Sequence, residues 1–311
     1  MNQRISGDLL QWLRCFYNVV LYGNLSNAAF HMNIKQSAVS HHIRNLEKEF
    51  DTTLFYRENN RLILTEAGEI LYRDAEKFFD MLERTRHALS SNKNDLSGTI
   101  SMAMPHAIAQ NLLPEVISKF HDKHEGVCFS LFSGSSKQIY EKVKNGMVHF
   151  GIVNQFDMAD HRDTALDITP LFGARLQIIS SRNNHFSLPK EASIKSIEKF
   201  PFISFFPEYA VGSTISNYIS KNNISLNTIS YISSFNTLIN MVKANIGISI
   251  IDSFAVKDDN DLCITNIIDE IPLRKYIMIS KKNRYIPPQS IAFKELLFEF
   301  IPPKNCISLL P

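Results

Sequence analysis

The stretch "NLSNAAFHMNIKQSAVSHHIRNLEKEF", Asn24 to Phe50, carries the architecture of the N-terminal region. Two short apolar runs flank a polar break at Asn33 to Lys35, and the second half collects small hydrogen-bonding side chains. There Val39, Ile43 and Leu46 share one helical face, while Gln36, Ser37, Ser40, His41 and Arg44 recur at three- and four-residue spacing on the other. In the first half the small pair Ala28 and Ala29 permits close helix approach, with Ser26 as the expected N-cap. Upstream, Leu9, Leu13, Phe16 and Val20 mark an amphipathic first helix. Short polar side chains on the last helix of such a trio suit entry into the DNA major groove, where base edges and phosphates need donors and acceptors. They equally suit the solvated face of any three-helix module, and spacing alone leaves both readings open.

The residues downstream of Phe50 favour DNA. "TTLFYRENNRLILTEAG" contains a strand-turn-strand candidate, Tyr56 to Thr65, turning at Asn59 and Asn60 with Arg57 and Arg61 flanking. This is the pattern of a wing whose arginines reach phosphates or the minor groove. After Thr65 a proline-free helix is expected to about Ser90. Its positions Leu71, Ala75, Phe78, Leu82, Thr85 and Leu89 step 4-3-4-3-4, a coiled-coil seam with one polar member. Dimerisation through Leu71, Phe78, Leu82 and Leu89 is the expectation.

Composition sets bounds without naming a partner. The 311 residues are 44% hydrophobic and 21% charged, ordinary values for a globular protein. No run of 18 apolar residues exists, and "MNQRISGDLLQWLRC" lacks the apolar core of an export signal, so no membrane partner is expected. Cys15, Cys128, Cys263 and Cys306 are scattered, with no metal-type spacing, which fits reduced thiols in a cytoplasmic protein. Net charge is +2, and the first 95 residues balance twelve Lys and Arg against twelve Asp and Glu. A DNA-binding reading therefore rests on where particular side chains point, not on bulk charge.

The combined motif "FYNVV…NLSNAAFHMNIKQSAVSHHIRNLEKEFDTTLFYR…LTEAGEIL" resembles the winged helix-turn-helix of LysR-type transcriptional regulators. His41 and His42 stand where that family often has arginine and glutamine, and Asp51 where it usually has glycine. The resemblance implies a DNA-binding regulator, activator or repressor, that forms a homodimer and further a homotetramer on promoter or operator DNA, with RNA polymerase as a candidate additional partner.

From Leu96 the texture changes. "GTISMAM", a helix rich in Leu112, Leu113, Val116, Ile117 and Phe120, "VCFSLFS", a helix from Lys137 to Lys144, and "VHFGIV" form a β-α-β-α-β run. A second set comes in "FPFISFF", a helix near Ser213 to Ser220, "TISYIS", a helix from Asn236 to Asn245, and "IGISII". Alternation of this kind implies mostly parallel sheets with helices on both faces. "PLFGARLQIISS" crosses between the halves, "LRKYIMIS" returns, and a helix from Ile291 to Phe300 closes the chain. Two such lobes are similar to periplasmic-binding-protein folds, the family's effector domain. "LLPEVISKF", "KVKNGMVHFGIV" and "LINMVKANIGISII" carry that likeness, although His149, Asn245 and Asp252 replace a usual aspartate, glycine and proline.

The expected fold class is α/β: a winged helix-turn-helix DNA-binding domain (1–65), a linker and dimerisation helix (66–95), and a two-lobed periplasmic-binding-protein-like effector domain (96–311). Its lobe I spans about 96–168 and 271–311, and its lobe II about 169–270. Ligands of open α/β sheets sit at strand carboxyl ends beside helix N-termini. Here those ends supply Pro105, His106, Ala107, Ser133, Ser135, Ser136 and Asn154 from one lobe. The other contributes Ser204, Phe205, Ser213 and Thr214, and the set suits a small polar or anionic effector. Taken singly, each serine reads equally well as a helix cap.

Enzyme signatures are missing: the chain has no GxSxG, GxxxxGK[ST], GxGxxG or HExxH, and "FSGSSKQ" matches a phosphate loop only loosely. His121 and His124 read as a solvated helix end rather than a metal pair. No catalytic residue, metal or cofactor is expected. The competing reading is a small-ligand-binding or catalytic α/β domain whose helix-turn-helix serves protein contacts only.

Overall fold

The computed structural model describes residues 7–58, 61–89, 96–155, 164–183, 186, 188–256, 260–303 and 306–310. The chain divides into two units, residues 1–93 with 283–287, and residues 94–282 with 288–311.

The first unit opens with α1 (Leu9–Tyr22), α2 (Leu25–Met32) and α3 (Gln36–Glu49). Phe16, Val19, Ala28, Val39 and Leu46 are at most 1% exposed and form the shared core. α2 is capped earlier than expected: Asn24 Oδ1 accepts from the backbone N–H of Asn27 at 2.8 Å, which places Ser26 inside the helix. Asn24 has extended backbone, the conformation that lets a short side chain reach forward onto the first turn. Asn33, at φ 54°, ends α2 in left-handed backbone and turns the chain into α3.

β1 (Phe55–Glu58) pairs antiparallel with β2 (Arg61–Leu64), with Glu58 opposite Arg61, which matches the expected strands of the wing. Its turn residues Asn59 and Asn60 lie outside the described residues, as does the side chain of Arg61. α4 (Glu66–Leu89) starts where the linker helix was expected; its forecast end at Ser90 is outside the described residues. Thr65 Oγ1 accepts from the N–H of Gly68 at 3.0 Å at the head of α4. A Cβ on Gly68 would strike the Leu54 carbonyl, so this glycine sets how closely α4 seats on the wing base.

The apolar seam of α4 is not continuous, a correction to the expected pattern. Leu71 packs into the winged-helix core and Ala75 is 2% exposed, because α1 lies against this end of α4. Leu82 and Leu89 stay open, 41% and 77% exposed, and Phe78 is half-buried.

The second unit has two lobes. Lobe I carries β3 (Gly98–Met104), α5 (His106–Asn111), α6 (Leu113–His121), β4 (Val127–Ser133), α7 (Ser136–Lys144), β5 (Phe150–Asn154) and β6 (Leu166–Ala174). After an excursion the chain returns as β13 (Arg274–Lys281), α10 (Pro288–Glu299) and β14 (Ile307–Ser308). Its sheet runs β14-β6-β13-β5-β3-β4. β3 is parallel to β4 and β5, but β13 is antiparallel to β5 and β6, so the sheet is mixed rather than mostly parallel. The returning strand enters from the opposite end, which fixes that direction. The expected single helix after β3 is two, since Pro114 lacks the N–H to continue α5.

Lobe II holds β7 (Leu176–Ser181), β8 (Glu191–Ala192), β9 (Phe202–Phe205), α8 (Ala210–Lys221), β10 (Thr228–Ile232), α9 (Phe235–Lys243), β11 (Ser249–Asp252) and β12 (Leu262–Ile267). Its strands form the order β11-β7-β12-β8 and a parallel β9–β10 pair. The lobe boundary expected at 168/169 falls at Arg175, because all of β6 is hydrogen-bonded into lobe I. Likewise the return begins at Arg274, whose register partner is Ala174, so the two crossings lie side by side. Beside them the Ser253 N–H donates to the Arg175 carbonyl at 2.8 Å. Phe254, next in the chain, inserts into the lobe I core, edge-on to Phe172 and Tyr276.

Among the described residues no helix is long and apolar enough to cross a membrane.

Candidate functional site

Two sites emerge, one in each unit. On α3 the buried row Val39, Ile43 and Leu46 turns the opposite face outward, leaving Gln36, Ser37, His41 and Arg44 exposed and Ser40 half-exposed. Internal hydrogen bonds arrange this face. Asn45 Nδ2 donates to His41 Nε2 at 3.2 Å, and Arg44 Nε donates to the Ser40 carbonyl at 3.3 Å. His42 is elsewhere, its Nε2 lying 3.4 Å from Gln11 Nε2 on α1. Arg57 is exposed on the wing. Glu47 joins the two elements, since its Oε1 accepts from the N–H groups of Leu54 (2.9 Å) and Phe55 (3.4 Å). Five polar or basic side chains on a fixed helix, beside a basic wing, can reach bases and phosphates together.

The second site is a cavity of about 580 Å³ between the lobes of the second unit. Lobe I lines it with Pro105, His106, Ala107, Ser135, Ser136 and Asn154, all foreseen at strand ends. Lobe II contributes Phe205, also foreseen. Ser133, Ser204, Ser213 and Thr214 do not line it. Ser133 is the last residue of β4 and the wall begins one residue later, at Gly134. Ser204 Oγ donates to the Phe205 carbonyl at 2.9 Å within the sheet. Thr214 Oγ1 donates to the Ala210 carbonyl at 2.8 Å in the α8 backbone.

α7 opens onto this cavity through a capping box. The Ser135 N–H donates to Gln138 Oε1 at 3.0 Å, and Ser135 Oγ accepts from the Gln138 N–H at 3.4 Å. Ser136, the first helical residue, accepts the Asn154 N–H on its Oγ at 3.4 Å and so ties α7 to the end of β5. The opposite wall is aromatic: Phe205, Tyr209 and Phe235, with Phe205 and Phe235 stacked at 6.4 Å.

The floor was not foreseen. Arg274 and Asp252, 2% and 5% exposed, meet there through an Arg274 Nε to Asp252 Oδ1 bond of 2.6 Å. Tyr276 Oη donates to Asp252 Oδ2 at 2.7 Å and accepts from Arg274 Nη2 at 3.3 Å; Arg274 Nη1 donates to Thr214 Oγ1 at 3.1 Å. Burial pushes the Tyr276 phenol above its ordinary range, with the Asp252 charge adding to it. Burial opposes the Arg274 charge, but Asp252 and Tyr276 outweigh it and hold the guanidinium protonated. A buried ion pair persists only where further hydrogen bonds satisfy it, and this one has them. Asp252 ends β11, so the strand-end rule applied to that strand would have found it. Nothing in the sequence pairs it with Arg274.

Among the described residues no group of three or more His, Cys, Asp or Glu could hold a metal.

Against known proteins, residues 10–69 match the model of the bacterial regulatory helix-turn-helix protein, lysR family. Residues 93–301 match that of the LysR substrate binding domain. The chain is 24% identical over 292 residues to a probable RuBisCO transcriptional regulator of Cyanophora paradoxa, covering 92% of this chain and 90% of that protein. A full-length OxyR variant from Pseudomonas aeruginosa shares the fold with TM-score 0.68 at 16% identity, over 96% of this chain and 95% of that one. Full-length CbnR complexed with its target DNA does so with TM-score 0.54 at 18% identity, over 93% and 98%.

Proposed function

This chain belongs to the LysR family of bacterial regulatory helix-turn-helix proteins, and we propose that it reads operator DNA through α3 and the wing under control of a small effector held between its lobes. It is a DNA-binding transcriptional regulator with an effector-binding domain, and it is not an enzyme. The observation that carries the proposal is the α3 face: Gln36, Ser37, Ser40, His41 and Arg44 project away from a buried Val39–Ile43–Leu46 row. In this reading Gln36, Ser37, Ser40, His41 and Arg44 occupy the major groove and Arg57 and Arg61 touch the backbone. CbnR, a structural neighbour, is seen on its target DNA, which supports assigning α3 this role.

The effector is a small polar or anionic molecule, consistent with the α7 N-terminus and the mixed lining of the cavity. The working form is a dimer through the open end of α4 and, by family analogy, a tetramer that engages RNA polymerase from the cytoplasm. Retention of the chain's own promoter region in a gel shift, lost on Gln36→Ala or Ser40→Leu, tests the DNA assignment. Promoter-specific retention equal in wild type and Gln36→Ala would discard it.

A further inference from the structure

We infer that the Asp252–Arg274 pair is the specificity-determining floor of the cavity, admitting small hydroxy or amino acids with an apolar body and refusing the plain carboxylates that lack the hydroxyl or ammonium. This rests on the cavity being the effector site. Hydrogen-bonding capacity is left over on both partners. Each carboxylate oxygen of Asp252 can accept about two hydrogen bonds, and Oδ1 takes one from Arg274 and Oδ2 one from Tyr276. Of the five N–H groups of Arg274, Asp252, Thr214 and Tyr276 take one each. The floor therefore offers acceptor and donor capacity side by side, with a net charge near zero.

A ligand hydroxyl or ammonium satisfies that acceptor capacity. A ligand lacking it buries the floor's spare acceptor capacity under apolar atoms. Sites built to hydrogen-bond a ligand donor reject the analogue without it more sharply than apolar pockets reject a missing methylene. The aromatic wall of Phe205, Tyr209 and Phe235 supplies the apolar contact on the lobe II side. Selection by an unfavourable term against the wrong ligand is as effective as an added contact to the right one.

Thermal-shift titration of the full chain with matched probes at neutral pH tests this: mandelate against phenylacetate, and phenylalanine against hydrocinnamate. At least one hydroxy or amino member should raise Tm, and its donorless partner should bind at least about tenfold more weakly. Asp252→Leu, which removes both acceptor oxygens, should erase the preference. Because that change alone can unfold a chain left with an unpaired Arg274, Asp252→Leu/Arg274→Met is read beside it. Donorless probes binding as well as their partners, or a preference that survives both variants, overturns the inference. In that case loss of binding in Ala107→Trp, which fills the cavity, leaves the effector reading standing. No stabilisation by any probe, or stabilisation that persists in Ala107→Trp, overturns the effector reading and this inference with it.

Discussion

Glu47, near the C-terminal end of α3, holds Leu54 at the base of the wing: its Oε1 lies 2.9 Å from the Leu54 nitrogen. One carboxylate thus ties α3, the proposed recognition helix, to the base of the wing hairpin. Glu47→Ala should cost about 1–2 kcal/mol, since it leaves two backbone N–H groups without their acceptor. Urea denaturation gives the stability, and operator binding should fall further than that loss accounts for. A fall in stability alone would make Glu47 purely structural.

Gln36→Ala should remove ~1–3 kcal/mol of discrimination at one operator base pair while leaving non-specific binding unchanged. Arg57→Ala should weaken binding to every sequence and lower the salt dependence by about one unit. Fluorescence anisotropy on cognate and scrambled duplexes across a salt series separates the two effects.

Leu82 and Leu89 stand open on α4, whereas Leu71 is committed to the winged-helix core. Leu82→Asp should therefore shift the sedimentation coefficient toward the monomer without lowering helix content by circular dichroism. Leu71→Asp should instead unfold the winged-helix module. Equal sedimentation of Leu82→Asp and wild type would move the interface off this stripe.

Burial pushes the Cys15 and Cys306 thiols up to about 11 and the Tyr17 phenol up to about 12, while Cys128 and Cys263 are exposed. Iodoacetamide should modify Cys128 and Cys263 first, because the thiolate is the nucleophile. Linkage gives the sign for stability. A folded-state value above the unfolded one means the unfolded chain gives up its protons first as pH rises. The contribution of these groups is complete below about pH 9 and is lost as pH climbs toward 11 and 12. Tm should be level from neutrality to that point and then fall, with Cys15→Ala blunting the fall.

Arg274→Met should cost ~3–5 kcal/mol by leaving Asp252 charged and buried alone, and Asp252→Asn/Arg274→Met should recover most of it. Guanidinium melts of the four proteins in that cycle measure the coupling; additive losses would mean the pair is not a unit.

The sequence makes periodic features legible and pairings across distance illegible. Val39, Ile43 and Leu46 announce the buried face of α3, and the residues between them announce its exposed face. Asp51 and Asn245, where the family usually has glycine, have φ of 48° and 59°, so the backbone demand persists and Asp and Asn meet it. His149, in place of a usual aspartate, still accepts on Nδ1 from the Ser101 N–H at 3.2 Å. Strand-end reasoning found seven residues of the cavity but could not tell which strand-end serines face inward, as Ser133 and Ser204 illustrate. The direction of β13 and the meeting of Asp252 with Arg274 depend on how the chain returns from lobe II, and no local pattern encodes that return.

Because Ala174 and Arg274 are register partners, the two crossings between the lobes form a single paired ribbon. Phe254, seated in the lobe I core, pins lobe II next to it. Arg274, which opens the returning strand, and Asp252, two residues before Phe254, both line the cavity, so the residues that join the lobes are also residues a bound molecule would meet. A small molecule seated there would press on the connection between the lobes itself.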